Sequence, residues 1–196
     1  MSRFALICQG FQRGFVDTTS PIFSVSASLR RSVCEQILKH ARRRGWPVIH
    51  IYLEGALSLS EAAALEGFSP GPLESYFCQR TLSAFACPGL EERLRSFNCE
   101  GVFLISYAGL AAIAGTFLEA LQRRIPIRLV TDAIADTALS GVAEEERLNA
   151  LSVLARSCGR DVCSFDLLSA QFDVQSSAQA DWRSAPAVLL QDVFAQ

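Results

Sequence analysis

The feature that most constrains the fold is a set of short, largely apolar runs. Four are evident, at 4–8 (FALIC), 47–53 (PVIHIYL), 102–106 (VFLIS) and 125–131 (IPIRLVT). Shorter candidates lie at 76–78 and 162–165. Apolar runs of this length, without alternation of polar residues, are typical of strands that are covered on both faces of a parallel sheet.

Segments of helical periodicity separate these runs. They are 28–44, 60–65, 91–97, 108–124 and 142–157. Strands that alternate with helices build a parallel sheet with helices on both sides. We therefore predict a three-layer α/β/α, Rossmann-like domain with a mainly parallel sheet of about six strands. Ligands of such α/β domains bind beyond the carboxyl ends of the strands, so the loops that follow the strands are the places to search for a site.

The length of 196 residues fits one domain. We predict that residues 1–170 form this domain. Residues 171–196 are polar and then apolar, and we expect a C-terminal extension that packs on the domain or on a partner subunit. Half of the residues are hydrophobic and 19% are charged, which favours a folded globular chain. The formal net charge of −2 gives the chain no overall basic character, so we expect no nucleic acid as a partner.

Cysteine and histidine usage argues against a metal site. The seven cysteines are irregularly spaced without a C-x-x-C pair, and His40 and His50 are the only histidines. We expect reduced thiols, as is usual in the cytoplasm. No targeting signal is evident at the start of the sequence, and no apolar run reaches the roughly 18 residues of a membrane span. The sequence thus predicts a cytoplasmic protein without metal, cofactor or membrane contact.

Several motifs, taken in order, resemble one enzyme family. They are 5–16 (ALICQGFQRGFV), 45–50 (GWPVIH), 83–85 (SAF), 101–120 and 128–133 (RLVTDA). This ordered set resembles the isochorismatase-like cysteine hydrolases over about residues 4–168. The resemblance implies the fold of that family and a homo-oligomer of two or more copies.

The resemblance also places the catalytic residues of the family. Its members use an aspartate after the first strand, a lysine four residues before Ser-Ala-Phe, and a cysteine at the start of a helix. The thiolate attacks the substrate carbon, the carboxylate moves protons, and the lysine charge supports that ionisation. The corresponding positions in this chain are Gly10, Gln79 and Ala112. None of these side chains can attack a carbon or carry a proton, so we predict a catalytically inactive homologue.

An inactive homologue can still bind a small molecule or act through oligomeric assembly. We expect a ligand pocket near the former catalytic positions. Its candidate binding residues are Phe11, Phe15, Gln79, Arg80, Ser106 and Tyr107. Aromatic side chains beside apolar strands belong to the core more often than to a ligand platform.

Two other functions stay open. One is a hydrolase that acts on C–N or related bonds, with Cys78 or Cys87 as nucleophile and Glu54 or Asp17 as acid. No histidine is placed by the sequence to activate either thiol. The other is a structural or regulatory interaction subunit, for which the small-residue helix and the apolar C-terminal end would supply contacts. A single hyper-reactive cysteine would favour the hydrolase.

Overall fold

A computed structural model describes residues 4–55, 57–137 and 143–169 of the chain. Within these ranges six strands form one sheet: β1 Phe4–Gln9, β2 Val48–Leu53, β3 Ser75–Gln79, β4 Gly101–Ser106, β5 Ile127–Ile134 and β6 Asp161–Val162. Their order is β3-β2-β1-β4-β5-β6, and each pairing is parallel. The predicted parallel sheet of about six strands is confirmed. The predicted C-terminal extension, 171–196, lies outside the described residues.

Helices cover both faces of the sheet. They are α1 Val25–Arg43, α2 Leu59–Ala62, α3 Leu90–Ser96, α4 Leu110–Gln122, α5 Glu144–Ser157 and α6 Ser164–Leu168. The apolar side chains of α1 and α6 pack on one face. Those of α3, α4 and α5 pack on the other. The three-layer α/β/α architecture predicted from the sequence is therefore confirmed.

Burial along the strands explains the apolar runs. β1 and β4 lie at the centre of the sheet and are buried at every position, because helices cover both of their faces. The edge strand β3 instead alternates between less and more exposed residues along most of its length. This alternation accounts for the weak signal of β3 in the sequence.

Two predicted strands end at the wrong residue. The sequence predicts a strand that ends at Thr131, but β5 continues because a register shift lets Ser106 pair with Ile134. The predicted strand at 162–165 stops at Val162. Ser164 instead begins α6, since its backbone N–H and its hydroxyl donate to the Asp132 carboxylate at 2.8 and 2.5 Å.

The strand order defines where a ligand site is expected. From β1 the chain moves outward to β2 and β3, then returns to β4 and proceeds to the other edge. The topological switch point therefore lies between β1 and β4, where α/β sheets bind their ligands. Gln9 and Ser106 are Cα partners at the carboxyl ends of these two strands.

Candidate functional site

A cavity of about 700 Å³ opens at the carboxyl end of the sheet, beside the switch point. The ends of β2 and β3, the loop that follows β3, and the first turn of α4 form its walls. Much of the lining is small and apolar. Its charged and amide side chains come from Glu54, Gln79, Arg80, Asp136 and Arg147.

Gly10 stands at the position of the family's acid, and its backbone conformation opposes any side chain there. Its φ is +74°, in the left-handed region that glycine tolerates best. A Cβ atom added there would lie 2.8 Å from the backbone N and 2.9 Å from the Cα of Ala108. The position therefore has no side chain and no room for one.

Four buried polar side chains lie next to Gly10. We call Gln9, Gln79, Ser106 and Thr116 the amide cluster. Gln9 Nε2 donates to Gln79 Oε1 at 2.8 Å and to Thr116 Oγ1 at 2.9 Å. Ser106 Oγ donates to Gln9 Oε1 at 3.1 Å.

Each member of the amide cluster is at most 1% exposed. The cluster is also tied to the backbone around it, since Gln79 Nε2 donates to the carbonyl of Thr81 at 2.7 Å. The Ala84 N–H donates to Thr116 Oγ1 at 3.0 Å. Buried polar groups that satisfy one another in this way fix a single local arrangement. None of these four side chains titrates near neutral pH.

Ala112 lies in the first turn of α4, at the cavity wall, and is 7% exposed. The first N–H groups of a helix lack intrahelical acceptors and favour negative charge. Here the N–H of Leu110 donates to Asp136 Oδ1 at 2.7 Å. Arg147 Nε donates to the other oxygen of that carboxylate at 2.5 Å. The Asp136 carboxylate thus accepts a hydrogen bond from the first turn of α4, and Arg147 neutralises its charge.

An exposed ion pair stands at the rim of the cavity. Arg80 Nε lies 2.5 Å from Glu54 Oε2, and the Arg80 side chain is 82% exposed. The hydrogen bond from Arg80 is the main reason that the pKa of Glu54 lies below its ordinary value. Glu54 is therefore ionised near neutral pH and is not poised to donate a proton.

No protein-family model and no curated protein matches the chain. Solved structures do match. A cysteine hydrolase from Pseudomonas syringae pv. phaseolicola 1448A has a TM-score of 0.76 at 15% identity, over 85% of this chain and 91% of that chain. An isochorismatase family protein from Desulfovibrio vulgaris subsp. vulgaris str. Hildenborough has a TM-score of 0.72 at 21% identity, over 85% of this chain and 97% of that chain. For N-carbamoylsarcosine amidase from Thermoplasma acidophilum the TM-score is 0.68 at 17% identity, over 83% of this chain and 96% of that chain.

The chain has the isochorismatase-like fold. The three likenesses extend over at least nine tenths of each relative. At these identities they establish the architecture, while the chemistry of the site has to be argued from the residues of this chain.

The isochorismatase-like fold brings together the three positions that the resemblance assigns. Gly10 packs against Ala108, and Ala108 lines the cavity together with Gln79 and Ala112. Of the predicted binding residues, Gln79 and Arg80 line the cavity. Their binding role stays a prediction.

Three predicted lining residues lie elsewhere. Phe11, Phe15 and Tyr107 are at most 1% exposed and belong to the core cluster on the α1 side of the sheet. The Phe11 ring lies 4.3 Å from that of Tyr107 and 4.3 Å from that of Phe68. The segment after β1 turns toward α1, so these aromatic side chains fill the core rather than the cavity. Ser106 is likewise buried, within the amide cluster.

The alternative nucleophiles are not activated. Cys87 is buried, and its Sγ donates to the carbonyl of Cys78 at 3.2 Å. Burial raises the pKa of the Cys87 thiol, and the pKa of Cys78 is raised by burial and by Glu54. A raised pKa reduces the thiolate fraction and so the reactivity. Asp17 is exposed and accepts hydrogen bonds from Thr19, its near neighbour in sequence.

The structure adds residues that the sequence analysis missed. Gln9 was overlooked because a glutamine after an apolar run resembles the start of a loop. Thr116 carries a weak signal, as a hydroxyl residue among the small and apolar residues of α4. The Asp136–Arg147 pair has no signal in the sequence, because the two residues meet only when α5 packs against the end of β5.

In the ranges 4–55, 57–137 and 143–169, no three His, Cys, Asp or Glu side chains come together in a group able to hold a metal ion. No helix in the same ranges has the length and apolar character needed to cross a membrane.

Proposed function

We propose that this chain is an isochorismatase-family protein that has lost triad-based catalysis and binds a small molecule in the cavity at the carboxyl end of the sheet. The observation that carries the proposal is the amide cluster. Beside Gly10, which stands at the family's acid position, Gln9 hydrogen-bonds at 2.8 Å to Gln79, which stands at the amine position, and both are at most 1% exposed. Neither amide titrates near physiological pH.

The nucleophile position supports the same conclusion. Ala112 has no group that can form a bond to a substrate, and no cysteine or histidine is found among the described residues that line the cavity. Acyl transfer by covalent catalysis needs an activated nucleophile and a group to move its proton. The carboxylates of the described lining, Glu54 and Asp136, are each paired with an arginine, which supports binding without turnover.

The cavity itself supports a ligand. A volume of about 700 Å³ lies within the roughly 300–1,000 Å³ usual for small-molecule sites. Its small apolar residues provide contact area, and the hydroxyls of Thr81 and Thr137 provide polar groups. Glu54 and Arg80 neutralise each other, and so do Asp136 and Arg147. We therefore expect a ligand whose binding does not depend on a net charge.

Ligand-detected NMR with a panel of small neutral amides and small carboxylates tests the proposal. The wild type should bind at least one compound with a Kd in the millimolar range or below. Ala111→Trp, which places a large ring at the cavity wall, should abolish that binding. Ala150→Trp makes the same substitution at an exposed position of α5 outside the cavity and should leave binding unchanged.

Two results would contradict the proposal. One is binding that survives Ala111→Trp in a protein that is folded by circular dichroism. The other is hydrolysis of an amide in the panel by the wild type that Ala111→Trp abolishes. The second result would instead establish an enzyme with substituted chemistry.

Assembly and location are further parts of the proposal. We expect a homo-oligomer in the cytoplasm, as the resemblance and the unpaired thiols imply. Exposed apolar side chains such as Leu59, Leu73 and Leu82 would supply subunit contacts. Light scattering of the full chain measures the molar mass, and a monomer at micromolar concentration would exclude this part while leaving the binding proposal intact.

A further inference from the structure

A second concave surface lies far from the cavity, between α1 and the end of α6. Its volume is about 690 Å³. We call this surface the α1 groove; it is lined by Gln36, Lys39, His40, Arg42, Arg43 and Leu168. The residues from α1 are spaced three and four apart, which places them along one side of the helix. Leu168, at the end of α6, forms the facing wall.

The described lining of the α1 groove contains the cations Lys39, Arg42 and Arg43 and no carboxylate. α1 carries five arginine and lysine side chains and a single carboxylate, Glu35. Glu35 forms an ion pair with Arg31 at 3.0 Å and a longer one with Lys39 at 3.7 Å. The Lys39 side chain is 70% exposed. Arg42 is engaged by Glu74 at 2.7 Å. Lys39 and Arg43 are therefore the cations best able to meet an additional acidic group.

The described part of the chain ends beside this groove. Leu168 lines the groove and Ser169 follows it directly. Residues 170–196 come next and contain Asp173, Asp181 and Asp192 against the single Arg183. The same segment ends in an apolar stretch at 187–194. Its sequence therefore offers carboxylates and apolar side chains, both of which complement the α1 groove.

We infer that residues 170–196 dock in the α1 groove of their own molecule. The aspartates bind Lys39 and Arg43, and the apolar stretch packs on Leu168 and on the alkyl stems of the cationic side chains. Arginine and lysine stems cover apolar surface while their charged ends reach solvent. One groove can thus satisfy both kinds of side chain in the segment.

Attachment favours the segment of the same molecule over a separate partner. A segment tethered next to its binding surface has an effective concentration of about a millimolar or more. Reach does not limit docking, because the residues between Ser169 and Ala187 can extend over roughly 55–60 Å. A second copy of the chain would have to compete with this local concentration.

Hydrogen–deuterium exchange of the full chain, read by mass spectrometry, tests the inference. The backbone amides of 187–194 should exchange slowly in the wild type. Lys39→Glu combined with Arg43→Glu should speed their exchange at least tenfold. Arg124→Glu combined with Arg156→Glu makes the same change of charge at exposed positions on other elements and should leave exchange slow.

A charge swap guards against indirect effects. Asp181→Lys combined with Asp192→Lys should release the segment in the wild-type background. The same pair added to Lys39→Glu and Arg43→Glu should restore slow exchange, because the charges are again complementary. A variant that had merely lost its fold would not be rescued in this way.

Three results would overturn the inference. The first is fast exchange of 187–194 in the wild type. The second is slow exchange that persists when Lys39 and Arg43 are both changed to glutamate. The third is protection that rises with protein concentration together with the molar mass, which would assign the segment to a second copy.

Discussion

Two polar clusters lie on opposite faces of the sheet, and they differ in charge. The amide cluster faces α4 and contains only amides and hydroxyls. On the opposite face of the sheet, His50 Nε2 lies 2.8 Å from Glu74 Oε2, and Arg42 Nε donates to Glu74 Oε1 at 2.7 Å. We call these three residues the ionic cluster. Only the amide cluster borders the large cavity, through Gln79.

The ionic cluster contains strongly perturbed groups. Burial raises the pKa of the Glu74 carboxyl, but hydrogen bonds from Arg42, from the Gly71 N–H and from His50 outweigh this effect and lower it to about 2. Burial lowers the pKa of His50, although its bond to Glu74 acts in the opposite direction. Glu74 is thus ionised near neutral pH, and burial favours the neutral form of His50.

The contrast separates two uses of polar side chains. A carboxylate next to a histidine suggests acid–base chemistry when it is read from composition alone. Here that pair is buried, with His50 only 1% exposed, and contributes to stability. The cavity that could admit a substrate is lined instead by the Gln79 amide and by the Glu54–Arg80 and Asp136–Arg147 ion pairs. The carboxylate–histidine pair of the described residues therefore lies away from the place of ligand access.

The largest expected effect is that of Gly10→Asp, which restores the acid of the family in sequence. We expect a loss of about 3–5 kcal/mol of unfolding free energy, because the left-handed backbone and the contact with Ala108 both oppose a side chain. Gly45→Asp is the matched control. Gly45 also has a positive φ, of +66°, but nothing lies within 4 Å of its Cβ position, so about 1 kcal/mol is expected. Urea unfolding measures both, and equal losses would refute steric closure of the acid position.

Gln79→Lys would bring a charge into the amide cluster. We expect a loss of about 2–3 kcal/mol at pH 7, because the ammonium is desolvated beside Gln9 and disrupts the hydrogen bonds there. Desolvation lowers the pKa of a buried lysine below its ordinary value of about 10.4. The unfolded state then binds more protons than the folded state, so stability should recover as pH rises from about 7 to 10.

Gln79→Met is the control for this substitution. It removes the same hydrogen bonds without adding a charge, so its loss of stability should not depend on pH over that range. Denaturant unfolding at several pH values compares the two variants. Equal pH profiles would show that the amide cluster accommodates a charge and would contradict the proposal that it is a neutral site.

Glu74→Gln examines the ionic cluster in the same manner. We expect a loss of about 1–2 kcal/mol at pH 7, moderated by the partial exposure of Arg42. Because the folded pKa of Glu74 is about 2, its contribution is fully present above its unfolded value and is lost as pH falls toward 2. The wild type and the variant should therefore converge at about pH 2. Glu66→Gln, at an exposed loop position, should show no such convergence.

The sequence predicted the sheet far better than the site, for a physical reason. A strand such as β4 is apolar along almost its whole length because both faces are covered, and that property is local. The hydrogen bonding of the Gln9 side chain depends on Thr116, which is 107 positions away in the chain. No short window of sequence contains both residues. The misplacement of Phe11 has the same origin, since the sequence does not tell toward which face of the sheet the chain turns after β1.

Gly10 is a position that the sequence predicted in part. The resemblance identified it as a lost acid, and its lack of a side chain follows from the sequence. The left-handed backbone and the contact with Ala108 do not follow, because they depend on how the loop after β1 packs against the loop after β4. Sequence thus predicted the absence of chemistry at this position, and structure explains why one substitution would not restore it.

The smallest expected effect concerns Cys78, which precedes the cavity-lining Gln79 in β3. Burial and the neighbouring Glu54 raise the pKa of its thiol. Glu54→Gln removes the negative charge, so the pKa should fall toward its ordinary value and alkylation by limiting iodoacetamide at pH 8 should become about threefold faster. Peptide-level mass spectrometry measures the rate, and the exposed Cys158 in the same sample serves as the internal control.

The opposite result would favour the hydrolase alternative. If Cys78 in the wild type reacts faster than Cys158 and slows on Glu54→Gln, then Glu54 accepts the thiol proton and the pair functions as nucleophile and base. Such behaviour would place proton-carrying chemistry at the cavity rim and remove the contrast between the two clusters. Slow alkylation that accelerates on Glu54→Gln instead shows a carboxylate that suppresses the thiolate, as the raised pKa of Cys78 requires.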